Sequence, residues 1–443
     1  MRRNVLSKIL GLLLLFVVFG LSSCGTNTTK QAATNPPTTT TTQMVTTTEP
    51  PVVDEDAVIP LKDRIGVTSW GIKYVPGIQP NENSLVKSSE LIAEIGVSVI
   101  KISFGNPNSH YRLDDWSNTD LSSFVTQAQD PSYKAVLDNP KFKTYYLHIT
   151  EMRSSVNYSD GLSNDEYNKV FKEMYDFTTY LLTTYEGTGK TFIIHNWEAD
   201  NALGTNYNSV ESKLLYRNYA DWINARQDGV NKARDDFGMT KSKNVRVFHA
   251  LEINKLVKED NIIRAVTGVV PYTYCDLYAY SSYESKDQGV VESVEDVVTR
   301  LTSLLEYYEE NLPPIEEYPQ EVYFKKHRLT ITECGYPDKQ DGYTGERTKM
   351  VVEGHLRTML SFGFQHFVFW ELCCNEVIGN NATTINSLRG EGLRNYEFKP
   401  YDLNGFYLIR PDGVKTYTYN YLQNVCRSDS LDVTAENPGR WVE

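Results

Sequence analysis

Cysteine is sparse and badly placed for cross-linking. Of 6 cysteines, Cys24 stands alone near the start, and Cys275, Cys334, Cys373, Cys374 and Cys426 follow without a CxxC pair. Such a set excludes a disulfide framework, although it leaves room for one bridge in an exported protein. Basic runs are absent too. The formal net charge is −13, or −16 without Arg2, Arg3 and Lys8, and an acidic surface argues against nucleic acid and anionic membrane as ligands. Long hydrophobic runs are also missing: the one from Ile9 to Leu21 falls short of the roughly 20 apolar residues that span a bilayer. No internal repeat is visible.

What the first sixty residues do contain reads as export followed by tethering. A charged start and the apolar run make residues 1–23 a signal peptide. The run ends in LSSC, Leu21 to Cys24, which resembles the lipobox of bacterial lipoproteins and implies that Cys24 becomes the lipid-bearing first residue of the mature chain. Two or more acyl chains would hold it firmly, since each buried methylene contributes about 0.8 kcal/mol. A cell-surface or envelope location follows. Residues 24–59 include TNPPTTTTTQMVTTTEPP, which has almost nothing to bury and reads as a disordered, extended tether.

From residue 60 short apolar runs alternate with longer helical ones. Eight candidate strands stand out: RIGVTSW from Arg64, SVIKISF from Ser98, TYYLHIT from Thr144, TFIIHNW from Thr191, VRVFHAL from Val245, CDLYAY from Cys275, RLTIT from Arg328 and HFVFWE from His366. Between them, Ser163 and Glu166 form a capping box ahead of an apolar stripe from Tyr167 to Leu181, and a second stripe begins near Ser293. Weaker helical patterns cover 84–95, 210–232, 258–266, 346–362 and 413–425. Apolar strands separated by helices predict a parallel sheet covered by helices, and eight repeats predict a closed (β/α)8 barrel, a TIM barrel, over residues 60–426. A doubly wound open sheet is the competing fold, but no glycine-rich turn follows the first strand. Residues 427–443 read as a polar, poorly ordered tail.

In such a barrel the chemistry sits where strands end. Strand four ends in Asn196, Trp197 and Glu198, strand seven in Thr332 and Glu333, and strand eight in Trp370 and Glu371. Two glutamates reaching one mouth from the fourth and seventh strands meet the demand of retaining glycoside hydrolysis, in which one carboxyl protonates the leaving oxygen and the other attacks the anomeric carbon. Aromatic residues make up 12%, with 30 Tyr, enough to furnish sugar-stacking faces. On these motifs residues 60–425 resemble the clan A (GH-A) glycoside hydrolases. The resemblance implies that Glu198 in HNWEAD is the acid/base and Glu333 in ITECGYP the nucleophile. It further implies that Trp370 is the aromatic floor under the sugar and that Tyr280 in LYAYSSY steadies the nucleophile. Two departures mark this chain. Trp197 stands where the clan places Asn, leaving Asn196 two positions before Glu198 as a substrate contact, and the clan's arginine near the end of strand two gives way to Lys101 and Ser103.

Other clusters have blander readings. His148, His195, His249 and His366 fall within strands, but the first strand carries no HxH, so they read as core or substrate-contact histidines with His249 the one expected at the sugar. GTGKT, Gly187 to Thr191, precedes a strand instead of following one and reads as a turn, not a phosphate loop. Glu371 and Glu252 are the substitutes for either catalytic glutamate, and Asp200 competes for the acid role. No metal or cofactor is called for, a carbohydrate is the expected partner, and the chain is expected to be a monomer. The rival reading from another class is a non-catalytic, sugar-binding surface lipoprotein on the same scaffold.

Overall fold

A computed structural model describes residues 52–149, 152–286 and 291–442. The signal, Cys24 and most of the tether lie outside them. Eight strands form a closed parallel barrel: β1 (Ile65–Ser69), β2 (Val99–Ser103), β3 (Thr144–His148), β4 (Thr191–His195), β5 (Arg246–Ile253), β6 (Leu277–Ser281), β7 (Leu329–Cys334) and β8 (Phe367–Phe369), each paired to the next and β8 to β1. Every residue of β1, β2, β3, β6, β7 and β8 is buried, as strands shielded on both faces must be. All eight strands start within the runs that the sequence marks out, and β5, β6 and β7 extend past them, to Ile253, Ser281 and Cys334.

The helices start where capping chemistry starts them. Ser163 and Glu166 bond each other's backbone at the head of Asn164–Thr184, and Ser293 does the same with Asp296 at the head of Val294–Glu310. GTGKT forms a turn: Gly187 and Gly189 take φ of 81° and 76°, a left-handed conformation that glycine adopts without strain, and the chain passes into β4. The pattern at 258–266 fails as a helix. It forms a short strand, Ile262–Ile263, paired antiparallel with Asn206–Tyr207, and then the brief helix Ala265–Gly268.

Both ends of the domain are seated more firmly than composition predicts. The Glu55 carboxylate accepts from the backbone N–H groups of Lys325, Lys326 and His327 at 2.8, 2.8 and 2.9 Å, tying part of the expected tether to the barrel. In the C-terminal segment Trp441 is buried against the rings of Tyr343 and Tyr407. One large apolar side chain outweighs a run of polar neighbours. All five described cysteines are buried free thiols.

The barrel axis is polar. Tyr146 on β3 meets Thr330 on β7 at 2.7 Å and His366 at 2.8 Å, and the rings of His148 and His195 stack with centroids 5.0 Å apart. Lys101, in register with Tyr146, belongs to the same polar axis.

Candidate active site

Lys101 is the hub. Its buried ammonium donates to Glu333 Oε1 at 2.7 Å, to Glu252 Oε1 at 3.2 Å and to the Thr332 carbonyl at 3.3 Å, so all three of its donors are spent inside the protein. Strand parity puts it there: Lys101 pairs in register with Tyr146, which points to the axis. Glu252, at the far end of β5, accepts from Thr332 Oγ1 at 2.5 Å and, through its other oxygen, from the Glu198 backbone N–H at 3.1 Å. One carboxylate thus links the ends of β4, β5 and β7.

Thr332 and Glu333 are consecutive, yet both reach this cluster. Regular alternation forbids that. The register of β7 slips against both neighbours at this point, between Tyr280 and Ser281 on one side and between Phe367 and Phe369 on the other. A bulge re-aims side chains in this way, and here it turns Glu333 into the mouth. The Tyr283 hydroxyl donates to Glu333 Oε2 at 3.2 Å.

Glu198 begins the short helix Ala199–Leu203 and accepts a bond from Asn201 Nδ2. Burial pushes its carboxyl far above the ordinary range, the charges of Glu333 and Glu252 push the same way, and Lys101 opposes them. Burial raises Glu333 as well, but there Lys101 is the foremost opposing influence and Tyr283 adds to it. Of the two, Glu198 is the last to give up its proton. The pair therefore offers an acid and an anion in one enclosed place, the division of labour that glycosidic chemistry needs.

Trp370, just past β8, completes the floor. Its ring centroid lies 6.0 Å from Lys101 Nζ and 5.2 Å from the ring of Trp70, which in turn meets His110 at 4.9 Å. Glu198, Glu333 and Trp370 are thus gathered at one end of the barrel.

Three expected contacts are not. Asn196 is committed internally: Oδ1 accepts from the Glu252 N–H at 2.8 Å, while Nδ2 donates to the Glu252 carbonyl at 3.0 Å and the Tyr219 hydroxyl at 3.1 Å, so it braces β4 against β5 in place of meeting a sugar. His249 lies on the outer face of β5, where Nδ1 sits 3.2 Å from Gln227 Oε1 on the helix Val210–Phe237. Tyr280 sends its hydroxyl to Glu284 at 3.4 Å, and the partner of Glu333 is Tyr283, three residues on. Asp200 is also removed from acid duty, since its carboxylate accepts from the N–H groups of Asn254, Lys255 and Ala265 at 3.2, 3.1 and 2.7 Å. Glu371 accepts from Asn375 N–H at 2.8 Å, and burial keeps its carboxyl well above the ordinary range. Among the described residues no group of three or more His, Cys, Asp and Glu side chains is arranged to hold a metal ion.

No family model and no curated protein matches the chain. Solved structures do. A GH5_18 protein from Bifidobacterium longum subsp. longum ATCC 55813, in complex with Manβ1-4GlcNAc, matches with a TM-score of 0.52 at 14% identity over 84% of this chain and 80% of that one. A GH5_18 protein from Streptomyces cattleya, in complex with GlcNAc, gives 0.52 at 9% identity over 86% and 83%. A third, from Bifidobacterium longum subsp. infantis, gives 0.51 at 12% identity over 85% and 80%. Identities this low establish a shared barrel fold.

Proposed function

We propose that the chain is a retaining glycoside hydrolase acting on a poly- or oligosaccharide. Glu333 attacks the anomeric carbon as the glycosidic C–O bond breaks, and the proton of Glu198 passes to the leaving oxygen. Glu198, now a carboxylate, takes a proton from water; that water attacks the anomeric carbon, and the ester to Glu333 breaks. Trp370 stacks under the sugar, and Lys101 and Tyr283 favour the ionised form of Glu333 and aim it. No cofactor enters. The observation that carries this reading is the junction of Glu198 and Glu333 through Glu252 and Lys101, with one carboxyl pushed much further toward its acid form than the other. Two fold neighbours bound to Manβ1-4GlcNAc and GlcNAc support a sugar as the class of ligand. The LSSC segment and the Thr/Pro run that follows support a lipid anchor at Cys24 that holds the barrel at the cell surface.

The test is reducing-sugar release from a panel of polysaccharides by the wild type and by Glu333→Gln. The variant should lose at least about three powers of ten in kcat, each worth about 1.4 kcal/mol of barrier. Equal release by both would remove Glu333 from the nucleophile role. Binding of a glycan without release by the wild type would hand the chain to the non-catalytic alternative.

A further inference from the structure

We propose that the rim above β8, β1 and β2 recognises an anionic substituent on the glycan, a sugar carboxylate or a sulfate ester, with Lys73, Arg112 and Arg389 as its ligands. This rests on the glycan reading above and narrows its substrate class.

Three loops bring the cations together. The Ile72 N–H donates to the His110 carbonyl at 2.9 Å, and Ile72 pairs in parallel with Tyr111, so Lys73 and Arg112 follow side by side. Gly390 N–H donates to the Arg112 carbonyl at 2.9 Å, which lays the loop after β8 on the loop after β2. The two guanidiniums then meet at one atom: Arg112 and Arg389 both donate to the Asn386 carbonyl oxygen, at 2.9 and 3.0 Å.

The other bonds of Arg112 and Arg389 go to the backbone carbonyls of Ser109 and Leu388. Among the described residues no carboxylate makes an ion pair with Lys73, Arg112 or Arg389. Nearby Asp114 is taken by Arg394 at 2.8 Å, and Glu371 is buried and turned to Asn375. Lys73 is only 6% exposed and has no hydrogen-bond partner among the described residues. A recessed ammonium without a partner is costly. Burial and the charges of Arg112 and Arg389 together hold Lys73 down to about 8, against a weaker pull from Glu371 and Cys374. In a chain of net charge −13 such a cluster is not general basicity. It is an anion site built from two surface forks and one recessed point charge, a combination suited to carboxylate or sulfate oxygens.

Its position relates it to the cleft. Trp70, three residues before Lys73, packs at a tilt against both Trp370 and His110, whereas Glu198 follows β4 across the barrel. The anionic group therefore belongs to the part of the substrate that stays with Glu333, not to the leaving group.

The experiment measures binding with the full chain carrying Glu333→Gln, so that turnover plays no part. The probes are glucuronoxylan and polygalacturonate, each beside its carboxyl-reduced form, and chondroitin sulfate beside its desulfated form. At least one acidic glycan should bind about tenfold or more tighter than its neutralised partner, and the pair that shows this tells carboxylate from sulfate. Adding Arg112→Gln with Arg389→Gln, both at the surface, should erase that preference, and Lys73→Met should do the same where circular dichroism shows it folded. Equal binding within every pair, no binding of any acidic glycan, or a preference that survives the arginine substitutions overturns the proposal. Hydrolysis of neutral glycans alone would overturn it while leaving the hydrolase reading intact.

Discussion

Two regions of the mouth carry opposite charge imbalances, and each is informative about what is missing from it. At the ends of β4, β5 and β7 three glutamates surround one ammonium, that of Lys101. On the rim above β8, β1 and β2 three cations make no ion pair with a carboxylate among the described residues. The first imbalance is resolved within the protein, because Glu198 keeps a proton and Lys101 serves the remaining pair. The second is open to that resolution only at Lys73, held down to about 8, since arginine does not give up its proton at ordinary pH. Internal excess of acid yields a proton donor, and external excess of base yields a place for a ligand.

The sharpest way to break the contrast is to remove the hub. Lys101→Met leaves Glu252 and Glu333 buried without a counter-ion, and breaking a buried pair on one side typically costs about 3–5 kcal/mol. Urea unfolding should register that loss, and kcat should fall by more than about a hundredfold. The pH profile should change in a defined direction. In the wild type, activity falls on the acid side as Glu333 gains a proton and on the alkaline side as Glu198 loses one. Without Lys101, which holds Glu333 down by charge and by a direct hydrogen bond and Glu198 by charge alone, both limbs move to higher pH, the acid limb further, and the profile narrows. Both carboxyls are raised in the folded state, so the fold favours their protonated forms. Their contribution to stability is therefore greatest at low pH and is lost as pH rises from the ordinary carboxylate range through their raised values.

A smaller effect separates two tyrosines. Tyr283→Phe deletes one hydrogen bond to Glu333, worth about 1.5 kcal/mol when the acceptor is charged, and should lower kcat by about tenfold. Tyr280→Phe, whose hydroxyl goes to Glu284, should leave kcat within about twofold. The reverse order would restore the tyrosine that the family resemblance pointed to.

That reversal shows what one chain discloses and what it conceals. The strands were legible because they are short runs rich in β-branched and aromatic residues that stop at turn residues, and the acid pair was legible because Glu198 and Glu333 stand at the ends of two of them. His249 was in principle legible as an outsider, since it lies three positions from Glu252, and odd spacing along a strand sends two side chains to opposite faces. Tyr283 and the bulge at Thr332 and Glu333 were not, because a loop's return path and a slipped register depend on neighbours far along the chain. Lys101 was visible only as the absence of an expected arginine. Its role requires knowing that β2, β5 and β7 converge on one axis. The rim cations were hidden by the overall acidity, which averages over a cluster drawn from Lys73, Arg112 and Arg389.

The gentlest test works from the rim. Arg389 is exposed and bonds only backbone carbonyls, so Arg389→Gln should shift stability by no more than about 0.5 kcal/mol, and toward greater stability if the repulsion from Arg112 and Lys73 is felt. Thermal melting at low and high salt reads this directly: any gain should shrink as salt screens the cations from one another. Removing a cation from the hub would then destabilise the protein strongly while removing one from the rim would not. That asymmetry is what distinguishes a charge held for the fold from a charge held for a ligand. A large loss at Arg389 would place it with the structural ions and dissolve the contrast.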